Sequence, residues 1–559
     1  MTDWDYVSDL VVVGSGGGLC AAIVAAANGR EALVIEKTDV VGGSTAMSGG
    51  VLWLPNNPLM QEQGVPDSFE EGMEYLQAVV GDVGPASSPE RRATYITEGA
   101  NMVRFLRDAG MRFVRCEGYS DYYADVAGVP AGKARGRSIE PAPFDGNELG
   151  PWLPKLRTSF TGGIAILTGE AATVGLVRRS PKAMRIAARV AARTMAGRLR
   201  RQTLLTNGAA LIGQALKVVI SRAVPVWTET ALEDLIVEDG RVVGAVVRKQ
   251  GRVMRVRARD GLVLAAGGFA RNAEMRRRYS MQPNAAEWTS SNPGDTGEVL
   301  EMAIALGAAT ALMDDAWWIP SSILPDGSPA MCISERSKPG SIMVDSAGNR
   351  FFNEAVSYME AGQAMYQHGA VPSWLVLDSR ARRRYTFAFR PPGVTPKEWL
   401  TSGYMKKADT LEDLAMQCGI DPAGLLRSVE RFNGFARAGV DPDFHRGEGA
   451  HEKYQGDITN KPNACLGPID KPPFYAVAMY PGDVGTSGGL LCDEHSRVLA
   501  TDGSTIPGLY ATGNCTASVM GRCYPGAGAS IGASFVFAYV AAQHATGRRA
   551  AAPAAVAAG

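Results

Sequence analysis

The chain reads as an α/β fold of two domains, the second inserted into the first. Three observations carry that reading: a strand, glycine loop, helix and strand at the amino terminus, another strand running into small residues near the middle, and one more near the carboxyl end. Length agrees, because 559 residues exceed the ~250–300 at which single hydrophobic cores stop growing.

The first element is the run Leu10-Val-Val-Val13, a short buried-strand pattern, followed by Gly14-Ser-Gly-Gly-Gly18, an alanine-rich helical stretch and a second strand, Ala32-Leu-Val-Ile35, closed by Glu36. This is a Rossmann-like unit for a dinucleotide. Gly14 permits the tight turn, Gly16 and Gly17 let backbone approach a pyrophosphate, and the helix amino terminus offers N–H groups to the anion. Glu36, about 20 residues on, is placed to accept the ribose hydroxyls, with Lys37 beside it. The third glycine position holds Leu19, which predicts looser contact between helix and strand there.

Three further segments belong with this unit. Val41-Gly-Gly-Ser-Thr-Ala-Met-Ser-Gly-Gly50 supplies Gly43, Ser44, Ser48, Gly49 and Gly50. Gly261-Leu-Val-Leu-Ala-Ala-Gly-Gly268 supplies Ala266 and Gly267, with Asn272 just beyond. Gly508-Leu-Tyr-Ala-Thr-Gly-Asn514 supplies Gly513 and Asn514. Together and in this order the four segments resemble those that wrap one extended FAD in flavoproteins with two-dinucleotide-binding domains; the resemblance adds Ala231, Ser530 and Ile531 to the expected cofactor set. Relatives of the succinate dehydrogenase type attach flavin through a histidine at the segment equivalent to Ser44-Thr45. The first histidine here is His368, so the FAD is expected to be non-covalent.

The cofactor segments flank a middle stretch expected to be the substrate domain. The boundaries are residues 1–316 and 486–559 for the FAD-binding domain and 317–485 for the α+β insertion, with a helix expected from Thr410 to Cys418. Ala551 to Gly559 is low-complexity. Lysine plus arginine balances aspartate plus glutamate at 57 each, which gives no argument for nucleic acid. Eight scattered cysteines without a CxxC pair suit reduced thiols and no metal site. Asp3, Asp5 and Asp9 precede the first apolar run, unlike the positive start of a signal peptide. Ala527 to Ala542 falls short of the ~20 apolar residues a spanning helix needs. A cytoplasmic protein is expected.

The chain is identified as resembling the 3-ketosteroid Δ1-dehydrogenases, bacterial flavoenzymes that place a double bond between carbons 1 and 2 of a steroid A ring. The motifs that carry the resemblance run nearly end to end: Trp53-Leu-Pro55, Ser120-Asp-Tyr-Tyr123, Gly136-Arg-Ser-Ile139, Asp315-Ala-Trp317, Asn353-Glu354, Phe444-His-Arg-Gly-Glu448 and Tyr524-Pro-Gly-Ala-Gly528, besides the FAD segments. The resemblance implies functional positions at Tyr122, Tyr358, Tyr524 and Gly528. It also implies a 3-ketosteroid substrate such as androst-4-ene-3,17-dione and a quinone-like or other electron acceptor.

Chemistry explains those residue types. The Tyr524 hydroxyl and the Gly528 N–H can donate to the carbon 3 carbonyl, and such donors are worth roughly 3–4 kcal/mol each to an oxyanion. Tyr358 would take the carbon 2 proton. A phenol has a pKa of about 10, so it needs a neighbour that stabilises its ionised form, a role the resemblance gives to Tyr122. Tyr119 and Met331 are expected to line the pocket, and His445 is given no role.

From Arg178 to Arg201 the chain carries eight arginines, one lysine and no acid. Arg178, Lys182, Arg185, Arg189 and Arg193 fall on one helical face. Peripheral contact with an anionic membrane through residues 178–201 is one reading, and a solvated basic face is the other. The functional alternatives are a 3-ketosteroid 4,5-dehydrogenase, a fumarate reductase-like flavoenzyme and a non-catalytic, flavin-bearing electron-transfer partner.

Overall fold

A strand can be apolar on both faces only if both faces are covered, and Leu10 to Val12 are fully buried in the middle of a large sheet. The structure is a computed structural model describing residues 4–158 and 163–547; the low-complexity end, Ala551 to Gly559, lies outside the described residues. The sheet has eight strands. Tyr6–Val13 pairs in parallel with Ala32–Ile35 on one side and Arg252–Leu264 on the other. Thr505–Ala511 extends the parallel set beyond Arg252–Leu264, and Val226–Trp227 extends it beyond Ala32–Ile35. The hairpin of Thr230–Glu238 and Arg241–Lys249 leans on the long strand Arg252–Leu264, and Arg497–Leu499 closes the far edge. Parallel order places the glycine-rich ends of three strands side by side, so the loops after Val13, Leu264 and Ala511 meet at one edge.

Helix Gly18–Ala27 covers one face of this sheet, with its residues from Gly18 to Ala25 all buried. A Cβ on Gly18 would stand 2.7 Å from Val12 Cγ1 and 3.1 Å from Ala265 Cβ. The close approach expected of the third fingerprint glycine is therefore made one residue earlier. Leu19 does not loosen the contact, correcting the sequence expectation; its side chain is fully buried in the core. The last helix, Ala529–Thr546, packs against Gly18–Ala27 and against helix Pro89–Asp108. Its apolar residues run around the whole circumference because it is enclosed by protein. No described helix is long and apolar enough to cross a membrane.

A second sheet of six strands is built from Ala316–Ile323, Pro329–Met331, Ser341–Val344, Ser373–Asp378, Met405–Ala408 and Phe474–Thr486. Every pairing in it is antiparallel. Helices Leu411–Cys418, capped by the Thr410 side chain, and Pro422–Ala438 lie over it. The basic segment forms helix Pro181–Leu199, started by Pro181 and capped by Ser180. Lys182, Arg185 and Arg189 are exposed. Arg193 is not part of that exposed row: it pairs with Glu170 at 2.5 Å and donates to the Ala165 carbonyl, fastening the helix to the segment before it. Arg179 is likewise held, by Asp457 at 2.6 Å.

Candidate functional site

A cavity of about 1070 Å³ runs from the glycine loop of the first sheet to the junction with the second. At one end it is made largely of backbone. Gly14, Gly16 and Gly17 line it together with Glu36 and Lys37. The Glu36 carboxylate accepts from the Ser15 hydroxyl at 2.6 Å and from the Thr38 N–H at 3.0 Å, which fixes it at the cavity wall. Lys37 reaches Glu298 at 3.1 Å. Gly43, Ser44, Ser48 and Gly49 line it as well, as do Ala231, Ala266 and Gly267. Gly513, Asn514, Ser530 and Ile531 line it where the last helix begins.

An extended FAD needs close backbone approach along such a channel, and the wall around the glycines is tightly packed. A Cβ would stand 2.3 Å from the Ala265 carbonyl oxygen at Gly14, 2.2 Å from Ser534 Oγ at Gly17 and 2.3 Å from Asp295 Oδ1 at Gly267. These are far inside contact distance, and Gly14 and Gly267 also hold φ of +103° and +83°, which favours glycine. The lining itself, bare backbone at Gly14, Gly16, Gly17, Gly43 and Gly49 with the Glu36 carboxylate at the wall, is what a dinucleotide channel needs, and the residues present fit the cofactor.

Two expected cofactor residues lie elsewhere. Asn272 does not line the cavity: its side chain caps helix Ala273–Tyr279 and its amide donates to the Thr296 carbonyl. Gly50 is turned onto Asn207, whose backbone carbon a Cβ would meet at 2.3 Å, and is a packing glycine. In their place the cavity has Asp295, which sequence reasoning missed. It is buried, accepts from Ser44 at 2.9 Å and Asn292 at 2.7 Å, and burial lifts its pKa to about 6 against those hydrogen bonds. The signal was legible, since Gly294 and Gly297 bracket it in a loop opening helix Glu298–Ala305.

At the other end the wall is aromatic. Tyr122, Tyr358 and Tyr524 come from three distant parts of the chain, yet their ring centres are 5.0–5.7 Å apart. Trp317 stands edge-on to Tyr524 at 5.3 Å, held by a 2.9 Å bond from its indole N–H to Asn514. Tyr119 and Met331 line the same region. Tyr123, the neighbour with which Tyr122 could be confused, is directed instead at Cys523. Tyr524 has Ser530 Oγ at 3.2 Å. Gly528 heads the last helix with φ of +92°, and a Cβ there would meet the Val51 carbonyl oxygen at 2.2 Å, so its backbone is held against the cavity where a larger residue could not fit.

Buried ion pairs position the tyrosines. Next to Tyr122, Asp121 is clamped by Arg137 at 2.6 Å and by the Trp53 indole at 2.8 Å, and the Tyr122 N–H donates to the Pro525 carbonyl. Ahead of Tyr358, Glu354 is held by Arg350 at 2.8 Å and Arg446 at 3.0 Å. Although burial opposes it, those two guanidiniums hold the Glu354 carboxyl down at about 2. Arg446 also donates to the Ser341, Arg336 and Lys338 carbonyls, tying that loop to the second sheet.

Burial pushes the Tyr122 and Tyr358 phenols well above 10, with the neighbouring phenols adding to it. Behind them lies His451, also unforeseen from sequence, its ring centre 3.9 Å from that of Tyr122. Burial, assisted by Arg336, lowers it to about 3, so it is neutral at physiological pH. His445 is exposed and faces Glu448 at 3.2 Å.

Residues 9–531 match the family model for the FAD binding domain. The chain is 43% identical over 562 residues to a 3-oxosteroid 1-dehydrogenase of Mycolicibacterium smegmatis, covering 97% of each. Among solved structures it is similar to a 3-ketosteroid delta1-dehydrogenase from Sterolibacterium denitrificans in complex with 1,4-androstadiene-3,17-dione, with a TM-score of 0.91 and 38% identity over 97% of this chain and 99% of that one. Similarity to a 3-ketosteroid-delta4-(5alpha)-dehydrogenase from Rhodococcus jostii RHA1 is lower, with a TM-score of 0.68 and 26% identity over 98% of each. On these findings the chain belongs to the FAD-binding flavoproteins and, within them, to the 3-oxosteroid 1-dehydrogenase family.

Proposed function

We propose that this chain desaturates the A ring of 3-ketosteroids between carbons 1 and 2, with FAD as hydride acceptor and a quinone-like or other electron acceptor re-oxidising it. The observation that carries the reading is the meeting of Tyr122, Tyr358, Tyr524 and Gly528 on one wall of the cavity whose other end is the glycine channel. When bound, FAD supplies a two-electron sink for the hydrogen of carbon 1. The chain supplies the rest. The Tyr524 hydroxyl and the Gly528 N–H hold the carbon 3 oxygen, favouring the enolate over the ketone. Tyr358 takes the carbon 2 proton, and Tyr122 at 5.5 Å between ring centres shares its charge. Trp317, Ile319, Met331 and Ile333 keep the wall apolar, excluding water and matching a hydrocarbon ring system.

A dicarboxylate substrate would need cationic clamps beside the tyrosines. The lining's described cationic side chains are Lys37, engaged by Glu298, and Arg198 on the basic helix, which argues for the steroid. Anaerobic addition of androst-4-ene-3,17-dione should bleach the bound flavin and give a 1,2-desaturated product by NMR. No bleaching, or a 4,5-desaturated product, would overturn the proposal; turnover with an artificial acceptor separates an enzyme from a passive electron carrier.

The basic helix supports a finer reading, peripheral contact with anionic lipid. Ala187, Val190 and Ala191 line the cavity while Lys182, Arg185 and Arg189 face outward, with Met184, Met195 and Leu199 exposed alongside. A lipid-dissolved steroid would then meet the opening directly. Liposomes containing anionic lipid should co-sediment the protein, and changing Lys182, Arg185 and Arg189 to alanine should abolish this. Unchanged binding would remove the idea.

A further inference from the structure

The buried carboxylates that brace the tyrosines are clamped by guanidiniums, Asp121 by Arg137 and Glu354 by Arg350 and Arg446. Glu335 is not. It opens the turn Glu335–Ser337 and lines the cavity, as do Ser334 and Thr386. Its carboxylate accepts from backbone, the Ser334 N–H at 3.1 Å. Among the described residues no cation forms an ion pair with it: Arg336 donates to the Glu354 carbonyl, and Lys338 spends its ammonium on the Gln455 and Gly456 carbonyls at 2.6 and 2.8 Å. Burial raises the Glu335 pKa, with its own backbone, Lys338 and the Ser334 and Ala388 backbone working against that. A carboxylate taken from water without a close cation is costly, so one kept on a cavity wall points to a ligand that serves it.

The neighbours of Glu335 show which end of the cavity it occupies. Ala388, whose backbone acts on it, belongs to the tight turn of residues 387–390, closed by the Phe387 N–H on the Arg390 carbonyl at 3.1 Å and by the reverse bond at 2.9 Å. Ala388 and Phe389 hold φ of +44° and +62°, the left-handed pair that a two-residue turn of this kind requires, although neither is glycine. Such strain is retained where the surrounding structure has a use for it, and here Thr386 and Phe389 both line the cavity. Phe389 is 61% exposed, and Ile164 and Met195, also in the lining, are 52% and 55% exposed, so these residues form the outer rim. Tyr524 and Gly528 are buried at the inner end.

We propose that Glu335 selects 3-ketosteroids carrying a hydroxyl at carbon 17, accepting the hydrogen of that hydroxyl at the outer end while Tyr524 and Gly528 hold the carbon 3 oxygen at the inner end. This names the substrate class of the proposed desaturation and rests on it. The steroid nucleus is rigid, so anchoring ring A fixes where ring D lies. An ionised carboxylate can only accept. A hydroxyl at carbon 17 brings the donor, whereas a ketone there brings only lone pairs and leaves the carboxylate unserved in a largely apolar wall. The Ser334 and Thr386 hydroxyls of the lining can donate to the oxygen of the same hydroxyl, so both of its hydrogen-bonding halves find partners. Gln455 lines the cavity too, but its amide nitrogen donates to the Tyr119 hydroxyl at 3.4 Å. Ile319, Met331 and Ile333 offer the ring system no competing bond.

The test compares kcat/KM for 17β-hydroxyandrost-4-en-3-one and androst-4-ene-3,17-dione, with an artificial electron acceptor, in wild-type holoenzyme, Glu335→Leu and Glu335→Gln. Wild type should favour the hydroxysteroid roughly 10–100-fold, the range of a hydrogen bond to a charged group. Glu335→Leu should bring that ratio to about one. Glu335→Gln keeps the size of the side chain and adds a donor, so it should move the ratio towards the diketone. Without turnover, the corresponding 1,4-dien-3-ones titrated into oxidised holoenzyme and followed by the flavin absorbance should give Kd ratios that change in the same way. A wild-type preference for the diketone or for neither steroid would overturn the proposal, as would an equal loss for both steroids in the two variants, the mark of a merely structural carboxylate. If neither 4-ene-3-ketone bleaches the wild-type flavin, the desaturation reading falls instead, and the titrations still decide the role of Glu335.

Discussion

The two ends of the cavity are built by opposite means. The cofactor end is backbone: short loops between parallel strands, glycines where a Cβ would overlap a neighbour at 2.2–2.3 Å, and few carboxylates, among them Glu36 at the close of the second strand and Asp295 in the loop after Gly294. The tyrosine end is side chain, held from behind by buried charges, with Arg137 on Asp121 beside Tyr122 and Arg446 and Arg350 on Glu354 ahead of Tyr358. A backbone cradle fails through crowding. A side-chain cluster fails through lost chemistry or lost support.

That contrast orders the expected effects. Tyr358→Phe and Tyr524→Phe should each cost roughly 100–1,000-fold in turnover while keeping a normal flavin spectrum, because on the proposed mechanism they remove a proton acceptor or an oxyanion donor. Steady-state assay with an artificial acceptor checks this; loss of flavin would put these residues at the wrong end. Glu354→Gln should destabilise the protein by about 3–5 kcal/mol, since it leaves the buried Arg446 guanidinium without its anion and takes from Arg350 one of its two carboxylates, Asp441 being the other. Thermal denaturation reads that loss, and a melting point within a degree of wild type would contradict the clamp. Gly267→Ala should reverse the tyrosine pattern, lowering flavin content while the remaining holoenzyme turns over normally, as gel filtration and per-flavin rates would show.

The pH dependence is subtler. Glu354 has a folded pKa of about 2, below its ordinary value, so its stabilisation is present above pH ~4.5 and drains away as pH falls towards 2. Acid unfolding of wild type should therefore steepen in that window, and Glu354→Gln should flatten it. Smallest of all, changing Lys182, Arg185 and Arg189 to alanine should leave turnover of a freely dissolved steroid within about twofold, because these side chains point away from the cavity.

The cofactor end was largely legible because its determinants are local. Gly14, Gly16 and Glu36 occur at fixed spacing in one unit, and their neighbours in the sheet follow from parallel order. Where local reading failed, it failed at single residues taken by other partners: Asn272 caps the helix that follows it and donates to the Thr296 carbonyl, Gly50 packs on Asn207, and Arg193 is taken by Glu170. At the tyrosine end the motifs could name Tyr122, Tyr358 and Tyr524 but not His451, Gln455 or Arg336. Nothing in the short runs around those three marks them, and their place depends on how helix Ala450–Gln455 and the turn at Glu335–Ser337 pack behind the phenols.

By itself the sequence determined the alternation of strand and helix, the glycine channel and its acidic end, and the residue types available for proton transfer, since hydrophobic period and turn chemistry act over a few residues. The tertiary structure alone decided which tyrosines share one wall, which arginine or carboxylate braces each, and that the basic helix has its apolar face on the cavity. Those are properties of contacts between segments far apart in the chain, fixed by packing and by the need to pair every buried charge.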